Sequence, residues 1–342
     1  MNVQREGFSL VEFVIALAVL AIVAAIALPA VNRAREAARQ TTCLDNLRRL
    51  GAGVHTYQTT HKVFPPGQLN SKFLTNVAPG FCADPAEAIK PTPGGQGTSW
   101  IVQVLPHIEQ AALHKSWNFK QNVLGNAQAA SVEIAGLYCP SRRTNLSPTV
   151  YGNVQRVAAD WTGGGNDYAG CAGSGIVFDD KTRATYVLSP EQVAATAGGD
   201  GWSPYNQDPL NAGIFGVNSR IRLEDIGDGA SQTMLICERR LTDSAGPESQ
   251  ISSDGWAWGG PATLMSCRLL PHTGVVFSRG LVPAPPTGGE PGHFDEADSS
   301  HPGIVNVCLA DGSARAVSFN ISLSTWRELG SANGGVPVRL PD

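Results

Sequence analysis

The 342-residue chain has no surplus of basic residues: 25 Lys and Arg face 29 Asp and Glu, a net charge of −4. This balance argues against a nucleic-acid partner. Common catalytic motifs are also missing, with no HExxH, no GxSxG, no Walker loop and no GxGxxG opening a helix after a strand. "GGGND", from Gly163 to Asp167, leads into a Tyr-Ala-Gly segment and reads as a bend, not a phosphate cradle. The seven cysteines (Cys43, Cys82, Cys139, Cys171, Cys237, Cys267, Cys308) form no CxxC pair and no zinc-ligand spacing, which disfavours a metal cluster. Outside the cytoplasm they are free to form disulfides, although an odd number leaves one thiol over, and small buried apolar side chains are the equal alternative. No enzyme is expected.

The first 60 residues hold no tryptophan, one of the 23 prolines and three of the 38 glycines. They differ in character from the rest. From Phe13 to Val31 there are 19 residues without a charge, about 28 Å as a helix and enough to cross a bilayer core. A secretory signal fits less well: Arg5 is offset by Glu6, and Pro29 closely follows the small residues Ala25 and Ala27. Glu12 is the anomaly, because a carboxylate within a span costs about 2.5–3.5 kcal/mol unless it is partnered. Cleavage after Gly7 would create an amine on Phe8 able to pair with Glu12 of a neighbouring, staggered helix.

Gly7, Phe8 and Glu12, in "GFSLVE", resemble the N-terminal signal of type IV prepilins and type II secretion pseudopilins. The resemblance implies cleavage by an inner-membrane prepilin peptidase, N-methylation of Phe8 and an assembly role for Glu12. It further implies a single-pass protein of the bacterial inner membrane, its head in the periplasm or on the cell surface, with pilus or secretion-system subunits as partners. The expected organisation is a leader at 1–7, a transmembrane helix at 8–31, an amphipathic continuation at 32–60 and a head at 61–342. In the continuation, Ala34, Ala37, Thr41, Leu44, Leu47, Leu50, Val54 and Tyr57 recur at helical spacing and predict the packed face. Arg33, Arg35 and Arg39 border the span and are either solvated or near lipid head groups.

In the head, Pro65 and Pro66 end the helix, and "TSWIVQVLPHIEQAALHKSWNF" predicts a second helical stretch capped by Thr98 or Ser99. Short β-like runs follow: "NDYAG", "GIVFDD", "GIFGVNSRIRL", "TMLICERRL" and "GIVNVCLADGSARAVSF", the last turning at Asp311-Gly312, with a short helix at "STWREL". The fold class is α+β, a long N-terminal helix on a pilin-like head with an antiparallel sheet. "SSHPGIVNVCLADGS" resembles the C-terminal H-x9-DG signature of a prepilin-like family of unknown function, and "EAARQTTCLDNLRRLG", "LYCPSRR" and "RLEDIGDGASQTMLICE" are similar to it too.

His301, Asp311 and Glu238 form the candidate constellation of the head, either a structural cap or, with Asp295, Glu296 and Asp298, a cation site; calcium is the possible ion and otherwise no cofactor is expected. Trp256 and Trp258 alternate in "DGWAWGGP" and predict either core packing or a sugar-binding face. Two functions follow. One is a minor subunit or accessory of a type IV pilus or type II secretion pseudopilus. The other is a solitary envelope-anchored protein whose head binds a saccharide or other solute.

Overall fold

A computed structural model describes residues 10–69, 97–119, 121, 123–146, 163–175, 211–241, 254–273, 296–336 and 338. Gly7, Phe8, Cys82, Asp295 and the "IVFDD" run lie outside these residues.

Helix α1 runs unbroken from Leu10–His61, 52 residues with Pro29 inside it. In its first half the apolar side chains are exposed on every side, from Leu10 at 79% through Leu20 at 69% to Val31 at 46%. A helix apolar all round belongs in lipid or among other helices; this one is long and apolar enough to cross a membrane. The second half buries Cys43, Asn46, Leu47, Leu50, Gly51, Gly53 and Val54 against the head. Each fully buried Leu or Val there contributes about 1.5–3 kcal/mol relative to exposure. The glycines set the approach: a Cβ on Gly51 would lie 2.6 Å from the Cys308 sulfur, and one on Gly53 2.6 Å from Ile108. At the C-terminal end Lys62 adopts a left-handed φ of 66°, its N–H donating to the Gln58 carbonyl before the prolines begin.

A two-stranded ribbon of β1 (Gln68–Leu69) and β2 (Thr98–Ser99) leads into α2 (Trp100–Val104). Ser99 caps α2, its hydroxyl accepting from the Ile101 N–H at 3.1 Å. A 3-10 turn at Leu105–His107 carries Pro106, then come α3 (Ala111–Ser116) and α4 (Ala127–Ala130).

The principal sheet contains β3 (Tyr168–Cys171), β4 (Met234–Glu238), β5 (Leu264–Met265), β8 (Ile304–Leu309) and β9 (Ala314–Ser318), in the order β5-β3-β4-β8-β9. Three of its pairings are antiparallel, whereas β3 and β5 run parallel, so the sheet is mixed at that edge. Two small strands, β6 (His272–Thr273) and β7 (Asp298–Ser299), pair in parallel beside it.

Both faces of the sheet are covered. Toward α1, Ile236 and Cys308 join Leu47, Leu50 and Trp100 in one core; on the other face Val305, Val307 and Leu309 meet Trp326 and Leu329 of α5 (Leu323–Gly330) in a second. Alternation along β8 therefore divides its side chains between two cores. The turn after β8 is tight, with Gly312 at φ 86° and its N–H donating to the Leu309 carbonyl.

Candidate functional site

Where α1 crosses the sheet, polar side chains from four separate stretches converge. Cys43 comes from α1, Cys139 from the turn after the 3-10 segment Ala135–Leu137, Glu238 from the end of β4, and His301 from the loop between β7 and β8. All four are buried, none more than 1% exposed. The Cys43 and Cys139 sulfurs are 2.8 Å apart, the Cys139 sulfur is 3.5 Å from His301 Nε2, and that nitrogen is 3.3 Å from Glu238 Oε1.

The other imidazole nitrogen, Nδ1, donates to Glu36 Oε1 at 2.6 Å. Glu36 in turn accepts from Arg39 and from the Ser141 hydroxyl. Glu238 Oε2 accepts from the Ser299 hydroxyl at 2.7 Å and the Asn306 N–H at 2.9 Å, while Oε1 faces the histidine and also accepts from the Asn306 side-chain amide at 3.3 Å.

The electrostatics follow from these contacts. Burial works against a charged His301, but hydrogen bonds with Cys139 and Glu238 and the Glu238 charge push its pKa up to about 10. Burial likewise works against ionised Glu238 and Glu36, yet the His301 hydrogen bonds, with Asn306 and Ser299 on one and Arg39 and Ser141 on the other, hold both below the usual carboxylate range. The Cys139 thiol is driven up by its hydrogen bond with Cys43 and by burial. Without a cation, the arrangement is an imidazolium clamped between two carboxylates beside two thiols.

A buried ionic frame braces this cluster. Arg143 grips Asp254 with two nitrogens at 2.6 and 3.0 Å and reaches Asp167 at 2.8 Å, while Arg239 bonds Asp254 at 3.0 Å. Asp167 also accepts from the Cys139 N–H at 2.9 Å, fixing that sulfur's backbone. Arg142 donates to the carbonyls of Arg239 and Asp298 and so ties the turn after Cys139 to the strand ahead of His301. Arg240 pairs with Glu296 at 3.0 Å. Two Arg-Arg dipeptides, at 142–143 and 239–240, thus supply the cations of the frame. Sequence reasoning missed it, and the two adjacent-arginine pairs were the signal.

A family described as "Protein of unknown function (DUF1559)" matches residues 32–324. The chain belongs to this family. The matched region of this DUF1559 protein spans the whole cluster, from Glu36 to His301. A second description, "Prokaryotic N-terminal methylation motif", matches residues 3–28 and so covers Gly7, Phe8 and Glu12. The N-terminus is therefore prepilin-like, and with its apolar helix marks a membrane-anchored protein. No curated protein and no solved structure matches the chain.

Of the residues expected to form the head's constellation, Glu238 and His301 come together. Asp311 does not join them: it is exposed in the turn at the opposite end of β8, where its Oδ1 accepts from the Ser313 N–H. Asp298 and Glu296 face Arg142 and Arg240 and lend their oxygens to ion pairs. The cysteine spacing offers no metal-type cluster, and the four side chains that meet here are drawn by the fold from distant segments that no local spacing links. Trp256 and Trp258 are core residues, 0% and 2% exposed, and present no sugar-binding face. Arg39 serves Glu36.

Proposed function

We propose that this DUF1559 protein is cut by prepilin peptidase after Gly7, methylated on Phe8, and held in the bacterial inner membrane by residues 8–31. It is then a minor subunit or accessory of a type IV pilus or a type II secretion pseudopilus, with its head in the periplasm or on the cell surface. The carrying observation is the methylation motif at 3–28 on a helix that continues without a break to His61. Such a helix has two occupations. Its lipid half can be handed to neighbouring helices on assembly, when Glu12 pairs with the Phe8 amine of the next copy. Its other half stays packed in the head. The head is read as non-enzymatic, because among the described residues the polar cluster around His301 is closed to solvent and serves to fix α1.

The test is mass spectrometry of the mature N-terminus together with Glu12→Ala. N-methyl-Phe8, and a variant that inserts in the membrane but is missing from sheared filaments, support the reading. An N-terminus at Leu28, or a variant that crosslinks and shears like wild type, removes the processing or the assembly step respectively.

The solitary solute-binding alternative draws on a different observation, an open groove of about 470 Å³ near α3 and α4 lined in part by Asn118, Gln121, Asn126 and Gln128. The amides of Gln121 and Gln128 suit a hydrogen-bonding solute, whereas that of Asn126 bonds the Asn118 backbone and shapes the wall. Saccharide binding by a chain that never enters filaments would select it.

A further inference from the structure

We propose that Cys43, Cys139, His301 and Glu238 form a closed site for one soft or borderline divalent cation of the zinc type, which fastens the membrane helix to the head. The four potential ligand atoms lie within 4.8 Å of one another and belong to four stretches with no local spacing in common. In a tetrahedral zinc site with bonds of about 2.0–2.3 Å, neighbouring ligand atoms are about 3.3–3.8 Å apart. The Cys139–His301 separation of 3.5 Å and the His301–Glu238 separation of 3.3 Å already match. The two sulfurs, at 2.8 Å, need to part by about 1 Å, a small side-chain rotation.

The surroundings are those of a metal-binding histidine. Such a residue offers one ring nitrogen to the ion and gives its other N–H to a carboxylate, which fixes the ring and its tautomer. Here Nδ1 is turned to Glu36 and Nε2 to the cluster. Glu238 has its far oxygen held by the Ser299 hydroxyl and the Asn306 N–H, and the Asn306 side-chain amide orients the near one at 3.3 Å, a contact that leaves that oxygen a lone pair for the ion. Two thiolates and a nitrogen exclude calcium or magnesium, which take oxygen, and select zinc-like or softer ions. As the cation enters, Nε2 and both thiols give up their protons to solvent. The excess negative charge left on the ligands and Glu36 is faced by Arg39 and Arg142. With every ligand buried and no open position, the site is structural. Glu36 acts through His301 and is a positioning residue.

The experiment uses the full chain, purified in detergent without chelator, and does not depend on whether filaments form. Elemental analysis should find one equivalent of metal per chain. Cobalt(II) added after chelator stripping should give the sulfur-to-cobalt charge-transfer band and the strong visible bands of a tetrahedral thiolate site. Cys139→Ser should lose the charge-transfer intensity, and Glu36→Gln should keep the bands with affinity about 10–100-fold weaker. Because a cysteine variant can fail by misfolding, the wild-type cobalt titration is decisive. A metal-free chain whose two thiols react freely, with no cobalt bands, overturns the proposal. So does a chain lighter by two hydrogens that yields a crosslinked Cys43–Cys139 peptide, since a disulfide would then occupy the place of the metal.

Discussion

Glu36 and His301, 265 positions apart in the chain, are joined by a 2.6 Å hydrogen bond from Nδ1 to Oε1. The first stands where α1 begins to meet the head, the second ahead of the β8–β9 hairpin. Removing the acceptor leaves a buried donor unsatisfied, a loss of about 1–3 kcal/mol. Glu36→Ala should lower the denaturant midpoint of the head accordingly, and Glu36→Gln, which keeps an acceptor, should lower it less. Equal midpoints for wild type and the alanine variant would mean the bond does not fasten the helix.

Asp254 makes the head sensitive to acid. Burial alone would raise its carboxyl, but the charge and hydrogen bonds of Arg143 and the charge of Arg239 hold it below the usual range. A depressed native pKa means stability that is present above the unfolded value of about 4 and is lost as pH falls through the lower native value. Unfolding followed against pH should therefore steepen below about pH 4. Asp254→Asn leaves two arginines short of a partner and should cost about 3–5 kcal/mol at neutral pH while flattening the acid limb. An unchanged acid limb would place the acid-sensitive charge elsewhere.

Gly51→Ala should run against helix propensity. In an exposed helix that exchange stabilises by about 1 kcal/mol. Here the new methyl would meet the Cys308 sulfur at 2.6 Å and push α1 off β8, so thermal unfolding should show a net loss of about 1–3 kcal/mol. A rise in melting temperature would show that the helix has slack at this crossing.

Ser99→Ala removes the cap of α2 and also a hydroxyl donated to the Trp256 carbonyl. About 1 kcal/mol is expected for the cap, more if the second bond goes with it. Ser99→Thr keeps the oxygen and should recover most of the difference in chemical denaturation.

Three features are legible locally: the β8–β9 hairpin turns at Asp311-Gly312, Ser99 caps its helix, and the long helix continues past the span. The face of α1 was read only in part. Periodicity picks apolar residues, and so it put Ala34 and Thr41 on the packed side, where the structure exposes them and turns Cys43 and Asn46 inward instead. Their partners explain this, because Cys43 meets Cys139 and Asn46 the Tyr138 carbonyl, each more than 90 residues away. No pattern within a helix reports such a distance. "GIFGVNSRIRL" is no strand for a nearer reason: Asn218 takes a left-handed φ of 52° and the Ser219 hydroxyl turns back to Gly216, leaving within the run a single isolated bridge, from Val217 to Gln68.

The change of environment along α1 also dictates how the molecule can be cut. Between Val31, the last exposed large apolar residue of the helix's first half, and Glu36, the first to serve the buried cluster, stand only Asn32, Arg33, Ala34 and Arg35. A water-soluble version has to begin within those four positions. Starting earlier carries greasy surface into water, and starting later unhooks the histidine from Glu36, its hydrogen-bond partner on the helix.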